Sequence, residues 1–167
     1  GKKVTIVEFM PRLLPGVDED LSDTLLQSFK DQGIEVLTAA QAKQVVSKDE
    51  NGITIMVQQG EESREISAQK ALVCIGRRAN LEGIGLEDAR VKHNGKCIET
   101  GSDMRTSIPH IVAVGDVTAS AQLAHVAYHE AGVAAKVIAG EDARANYTAV
   151  PACIYSHPEA ASVGMSE

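Results

Sequence analysis

Two carboxylates stand where a sheet would present them to a ligand, Glu8 and Asp116. Glu8 follows Val4-Thr5-Ile6-Val7, a β-branched run that reads as a buried strand over residues 3–8. Asp116 follows Ile111-Val112-Ala113-Val114 and a glycine, Gly115. In open α/β sheets ligands collect beyond the carboxyl ends of the strands, where a carboxylate accepts hydrogen bonds from sugar-like hydroxyls. For Glu8 the matching donor is the ribose of an adenosine, and its charge opposes a 2′-phosphate. The plainer alternative is a surface carboxylate that happens to end a strand. For Asp116 the donor is a sugar or ribityl hydroxyl, and the alternative is a cap on the helix that follows.

Three further places carry candidate chemistry. Gly76 comes directly after the apolar run Ala71–Ile75 and would let a ligand approach the backbone, or would only make a turn. Arg77 and Arg78 beside it suit a phosphate or plain solvation. Gln122-Leu123-Ala124-His125 opens the last long helical pattern, and unpaired N–H groups at a helix start can donate to a ring carbonyl or an anion. His125 taken alone reads as a packed or surface histidine rather than a catalyst. No His, Cys, Asp and Glu set has metal-ligand spacing, so no metal site is expected.

The elements that must hold these residues read as follows. After the first strand, a proline-bearing loop leads to Asp18 and an acidic first turn, then Leu21, Leu25, Leu26 and Phe29 at helical spacing, with Gly33 as the stop. Ile34–Leu37 is the next strand, so the opening is a βαβ unit with a parallel sheet. Lys43–Lys48 and Ile53–Gln59 flank Asn51-Gly52 as a hairpin, and Glu65–Ser67 adds a short third strand. Ala71–Ile75 and Ile111–Val114 read as buried strands, Ala121–Ala139 as a helix closed by Gly140, and residues 152–156 as a strand without a partner.

Bulk properties exclude several classes. At 167 residues, 44% hydrophobic and 23% charged, the chain has the balance of a folded globular protein. No apolar run approaches the ~18 residues of a membrane span. A net charge of −7 without a basic cluster, and 3% aromatics, argue against nucleic acid. Three widely spaced cysteines, Cys74, Cys97 and Cys153, form no disulfide framework and fit a reducing cytoplasm. The chain opens on Gly1-Lys2-Lys3 directly into a strand and reads as a start inside a longer protein.

Taken in order, Thr5-Ile6-Val7-Glu8, Cys74-Ile75-Gly76-Arg77-Arg78 and residues 106–116, from Thr106 through Ile108-Pro109-His110 to Gly115-Asp116, resemble the pyridine nucleotide-disulfide oxidoreductases. Leu123-Ala124-His125 and Tyr155-Ser156-His157-Pro158-Glu159 are most similar to the members that oxidise dihydrolipoamide. The resemblance implies an α/β fold: a partial Rossmann-like FAD/NAD(P)-binding fold, with a parallel sheet and a β-meander crossover. It implies that residues 1–79 are the later part of an NAD-binding domain, 80–147 a central segment returning to an FAD-binding domain, and 148–167 the start of a dimerisation domain. Glu8 would bind the NAD ribose, Ala42 would lie beside the adenine, and Gly76 would approach the nicotinamide half. Asp116 would hold the ribityl chain of FAD, and Gln122, Leu123, Ala124 and His125 would line the flavin ring.

The same resemblance implies a full-length homodimer in the cytoplasm. It would serve the lipoyl domain of a 2-oxo acid dehydrogenase or glycine cleavage complex, moving electrons from a dihydrolipoyl dithiol through a disulfide and FAD to NAD. The family's redox-active cysteine pair, catalytic His-Glu pair and NAD glycine loop match nothing here, so no catalytic residue is expected in this chain and the chain alone is expected to be inactive. The competing expectations are an NADPH-dependent enzyme similar to glutathione or mercuric reductase, which Glu8 disfavours, and a non-catalytic nucleotide-binding module.

Overall fold

The β-branched opening forms β1 (Thr5–Val7), which pairs in parallel with β2 (Glu35–Leu37), Ile6 lying opposite Val36. Between them runs α1 (Glu19–Asp31), with Glu19 and Asp20 in its first turn where the helix dipole favours negative charge. Helix α1 buries Leu25 and Ser22, and the Ser22 hydroxyl donates to the Leu13 carbonyl at 2.6 Å, fastening the preceding loop onto the helix. The parallel βαβ unit read from the sequence is therefore present. These strands and helices come from a computed structural model, which describes residues 1–165; the last two residues of the expected 148–167 segment lie outside the described residues.

The chain then turns into a three-stranded antiparallel meander of β3 (Ala40–Lys48), β4 (Ile53–Gln59) and β5 (Glu62–Ala68), in that spatial order. The Asn51-Gly52 turn forms as expected, and Asp49 adds an anchor: its Oδ1 accepts the N–H groups of Asn51 and Gly52 at 2.8 and 3.1 Å. Strand β5 is longer than the three residues read from the sequence, because it pairs along the whole of β4 from Gln59–Glu62 to Ile53–Ala68. Near the C-terminus, β6 (Ala152–Ile154) has a partner after all, pairing antiparallel with β7 (Ala160–Ser162). The loop between them reaches α1, where Ser28 and Gln32 donate to the His157 carbonyl, each at 3.2 Å.

Residues 1–74 and the described part of 151–167 form one unit, and residues 75–150 form a second. In the second unit Leu86, Val91, Ile98 and Ala113 make one buried cluster, and Met104, Val133, Ala134 and Val137 another. The second cluster rests on α2 (Ala124–Ile138), which begins three residues later than its composition predicts. Leu123 is extended (φ −128°, ψ 136°), and its N–H goes to the Ala121 carbonyl at 2.8 Å, so the helix cannot start earlier.

Two expected strands differ from the structure. Ala71–Ile75 is not a buried strand: Leu72, Val73 and Ile75 are 88%, 75% and 95% exposed. A strand interior needs neighbours on its hydrogen-bonding edges, and among the described residues no segment pairs with this run. Ile111–Val114 is extended, but among the described residues it makes one bridge, Val112 with Arg105. Its period-2 alternation is nonetheless used: Ile111 and Ala113 pack into the first cluster, Val112 and Val114 into the second. The apolar pattern identified an extended segment, and it divides two cores without standing inside a ladder.

Candidate functional site

In the first unit, Glu8 leaves the carboxyl end of β1 with its backbone fully engaged. Its N–H donates to the Leu37 carbonyl at 2.8 Å, and its own carbonyl accepts the Ala40 N–H at 2.9 Å. The Ala39 N–H closes the same seam on the Met10 carbonyl at 2.8 Å. One carboxylate oxygen of Glu8, Oε1, accepts the Met10 N–H at 2.7 Å; the half-buried side chain makes no ion pair among the described residues. The seam brings Glu8 to the start of β3, two residues before Ala42. Ala42 is exposed, beside a register shift where β3 bulges against β4. These two expected binding residues therefore share one corner of their unit.

The second unit gathers the others around a tight turn at Gly115–Val117. Gly115 is buried with φ 76°, a left-handed conformation, and a Cβ there would stand 3.2 Å from the Ala127 side chain of α2. Glycine thus serves both the turn and the close approach of the helix. The Gly115 carbonyl accepts the N–H and the hydroxyl of Thr118 at 2.9 and 3.0 Å. The side chain of Gln122 donates to the Asp116 carbonyl at 3.3 Å. With the backbone fixed on both sides, the Asp116 carboxylate is left outward, 41% exposed, where its Oδ2 meets Arg77 at 3.2 Å. It caps no helix: neither the turn nor α2 has a side-chain cap.

The Arg77–Asp116 pair carries Gly76 (φ 118°) to the same place, and Gln122 ties in the start of α2. Gln122, Ala124 and His125 are exposed and Leu123 is half-buried, so the first N–H groups of α2 lie beside an accessible surface. Arg78 is exposed and takes no part in an ion pair among the described residues. Cys74, Cys97 and Cys153 form no disulfide. No helix among the described residues is long and apolar enough to cross a membrane.

Sequence reasoning missed Glu130 and Tyr147. Glu130, on α2, is fully buried; its Oε2 accepts the Gly115 N–H at 2.5 Å and its Oε1 the Tyr147 hydroxyl at 2.8 Å. The signal was available: Glu130 stands at i+4 from Val126 and at i−3, i−4 and i−7 from Val133, Ala134 and Val137, on the helix face that faces the core. Burial, then the hydrogen bond to Glu130 and its charge, push the Tyr147 phenol up to about 12.

A raised phenol contributes stability that is whole below its ordinary value of 10 and disappears as pH climbs through about 12, because the unfolded chain ionises first. The denaturation midpoint is therefore expected to fall across that window, and to fall less in Tyr147→Phe. Subtracting the two proteins' alkaline absorbance should show the Tyr147 phenolate arising near pH 12. Its appearance near pH 10 would contradict the Glu130 contact.

Residues 1–131 match the family described as pyridine nucleotide-disulphide oxidoreductase. Two proteins named dihydrolipoyl dehydrogenase are similar along the whole chain, one from Bacillus subtilis at 41% identity and one from Geobacillus stearothermophilus at 39%. The chain spans 36% of the length of each. Among solved structures, LpdA from Mycobacterium tuberculosis superimposes with a TM-score of 0.88 at 29% identity, over 98% of this chain and 35% of its own. The partial Rossmann-like α/β fold is common to them, and with a family match across most of its length this chain belongs to the pyridine nucleotide-disulphide oxidoreductases.

Proposed function

We propose that the chain is the cofactor-holding segment of a flavoprotein that oxidises protein-bound dihydrolipoamide and delivers the electrons through FAD to NAD. The observation that carries this is the Gly115–Asp116 turn. The Gly115 N–H and the Gly115 and Asp116 carbonyls are hydrogen-bonded within the protein, and the Asp116 carboxylate is directed outward beside the uncapped start of α2. That donor and acceptor set suits a ligand with hydroxyls at one end and ring carbonyls at the other, as FAD has. FAD, when bound, supplies reversible two-electron chemistry between a dithiol and a nicotinamide. Asp116 would accept from a ribityl hydroxyl, and the N–H groups over Gln122–His125 would donate to the ring.

Glu8 fits the second cofactor in the same way. One of its oxygens is held by its own loop, which orients the other for a ribose hydroxyl. Ala42 at the adjoining strand start offers no bulk against an adenine, and Gly76 lets the nicotinamide half come near the backbone. In this reading residues 1–79 serve NAD, 80–147 serve FAD, and 148–167 begin a pairing domain. The full-length protein works as a cytoplasmic homodimer on a lipoyl domain of a 2-oxo acid dehydrogenase or glycine cleavage complex. The redox cysteines and the catalytic base come from outside this segment.

Full-length protein given dihydrolipoamide is expected to reduce NAD far faster than NADP, because the Glu8 charge opposes a 2′-phosphate. Preference for NADP, or failure to oxidise dihydrolipoamide, would overturn the proposal. Glu8→Ala is expected to raise KM for NAD about ten-fold with kcat little changed, as loss of a ground-state contact does. An unchanged KM would remove Glu8 from the site.

A further inference from the structure

A carboxylate on the buried face of a helix is costly, and an apolar side chain would fill the same space without that cost. Glu130 is 0% exposed on the face of α2 otherwise formed by Val126, Val133, Ala134 and Val137. Its position is explained by what it accepts. The left-handed twist at Gly115 turns that residue's N–H into the protein, where the Gly115–Val117 turn provides no acceptor for it. A buried N–H left alone costs free energy. Glu130 Oε2 takes it at 2.5 Å, and Tyr147 holds the other oxygen at 2.8 Å, so the carboxylate is anchored at both ends.

The structure assigns Glu130 a role as positioning residue for the flavin: through the Gly115 N–H it fixes the direction in which Asp116 leaves the chain. This rests on the reading of Asp116 as the ribityl acceptor. Helix α2 then contributes at two depths. Its exposed first turn lies beside the ligand surface, and about 9 Å along its axis Glu130 holds the turn that aims the carboxylate. The neighbouring Thr118, Gln122 and Ile98 contacts secure the Gly115, Asp116 and Val117 carbonyls, and Glu130 supplies the restraint on the donor side.

The test has two readouts. The first is amide exchange in this chain at Gly115 and, as an internal control on the same helix, at Val133. In Glu130→Ala, exchange at Gly115 is expected to accelerate on the order of ten-fold more than at Val133, the size of a lost hydrogen bond to a charged group. Glu130→Gln is expected to restore most of the protection, because its amide oxygen can accept the Gly115 N–H while its NH2 faces the Tyr147 oxygen. Equal acceleration at both amides, or no rescue by glutamine, would reduce Glu130 to a packing residue and overturn the proposal.

The second readout is FAD dissociation from the full-length protein. Glu130→Ala is expected to weaken binding about ten-fold and Glu130→Gln much less. If Asp116→Asn weakens FAD and Glu130→Ala does not, the positioning role fails while the flavin reading stands. If Asp116→Asn has no effect, the flavin reading fails, and exchange at Gly115 alone decides whether Glu130 holds the turn. Should Glu130→Ala not fold, Tyr147→Phe, which frees one oxygen of the anchor, supplies the comparison: exchange is expected to accelerate more at Gly115 than at Val133, and equal exchange at both would overturn the proposal.

Discussion

Asp116→Ala in the full-length protein is expected to loosen FAD by about ten- to a hundred-fold, the range for a hydrogen bond to an ionised acceptor. Asp116→Asn, which keeps an acceptor but no charge, is expected to lie between alanine and wild type. The substitution isolates the carboxylate, because the contacts of residues 115 and 116 that shape the turn are made by their backbone atoms. These contacts are the Gly115 N–H to Glu130, the Gly115 carbonyl to Thr118, and the Asp116 carbonyl to Gln122. The partner Arg77 is 74% exposed, and an exposed ion pair contributes little to stability. Arg77→Ala is thus expected to leave the melting temperature almost unchanged. Fluorescence of released flavin measures the dissociation. Full retention of FAD in Asp116→Ala would show that the outward carboxylate is not a ligand contact.

Met104→Ala is expected to destabilise the unit of residues 75–150 by about 3 kcal/mol, within the usual range for truncating a buried methionine. Met104 is 2% exposed and packs with Val133, Ala134 and Val137 of α2, while its carbonyl accepts the Ala113 N–H at 3.0 Å. It thereby couples α2 to the extended segment that ends in Gly115. Its backbone is left-handed (φ 63°), which costs a residue with a Cβ about 1–2 kcal/mol. The buried side chain outweighs that cost, which is why the position carries methionine and not glycine. A consequence is that Met104→Gly should be no worse than Met104→Ala, since relief of the left-handed strain offsets glycine's usual entropic penalty of roughly 0.5–1 kcal/mol. Denaturant midpoints of the two variants measure this. A glycine variant clearly less stable than the alanine one would contradict it.

What could be read from the sequence was whatever follows from local pattern. The βαβ opening was legible because β-branched runs, an acidic helix start and Gly33 agree with one another. The Asn51-Gly52 hairpin was legible because its turn chemistry is specific. Glu8 and Gly115-Asp116 stood out as polar residues ending apolar runs, and the structure leaves the Asp116 carboxylate accessible and Glu8 at the corner where β1 meets β3.

What could not be read depended on partners. Leu72, Val73 and Ile75 have the composition of a buried strand, yet composition cannot supply the neighbouring strands that would bury them. Ile111–Val114 has the alternation of a strand, but the same period serves an extended segment between two clusters. Glu130 was passed over because glutamate is a good helix former on a solvated face. Only its register with Val126, Val133 and Val137 marks it as buried, and only the fold shows that Gly115 lies opposite.

The most direct test of the flavin assignment is a crystal structure of the full-length protein with FAD bound. The account predicts a carboxylate oxygen of Asp116 at about 2.7–3.0 Å from a ribityl hydroxyl, with the Gly115 N–H still on Glu130. A flavin bound elsewhere, with Asp116 facing only Arg77, would contradict it.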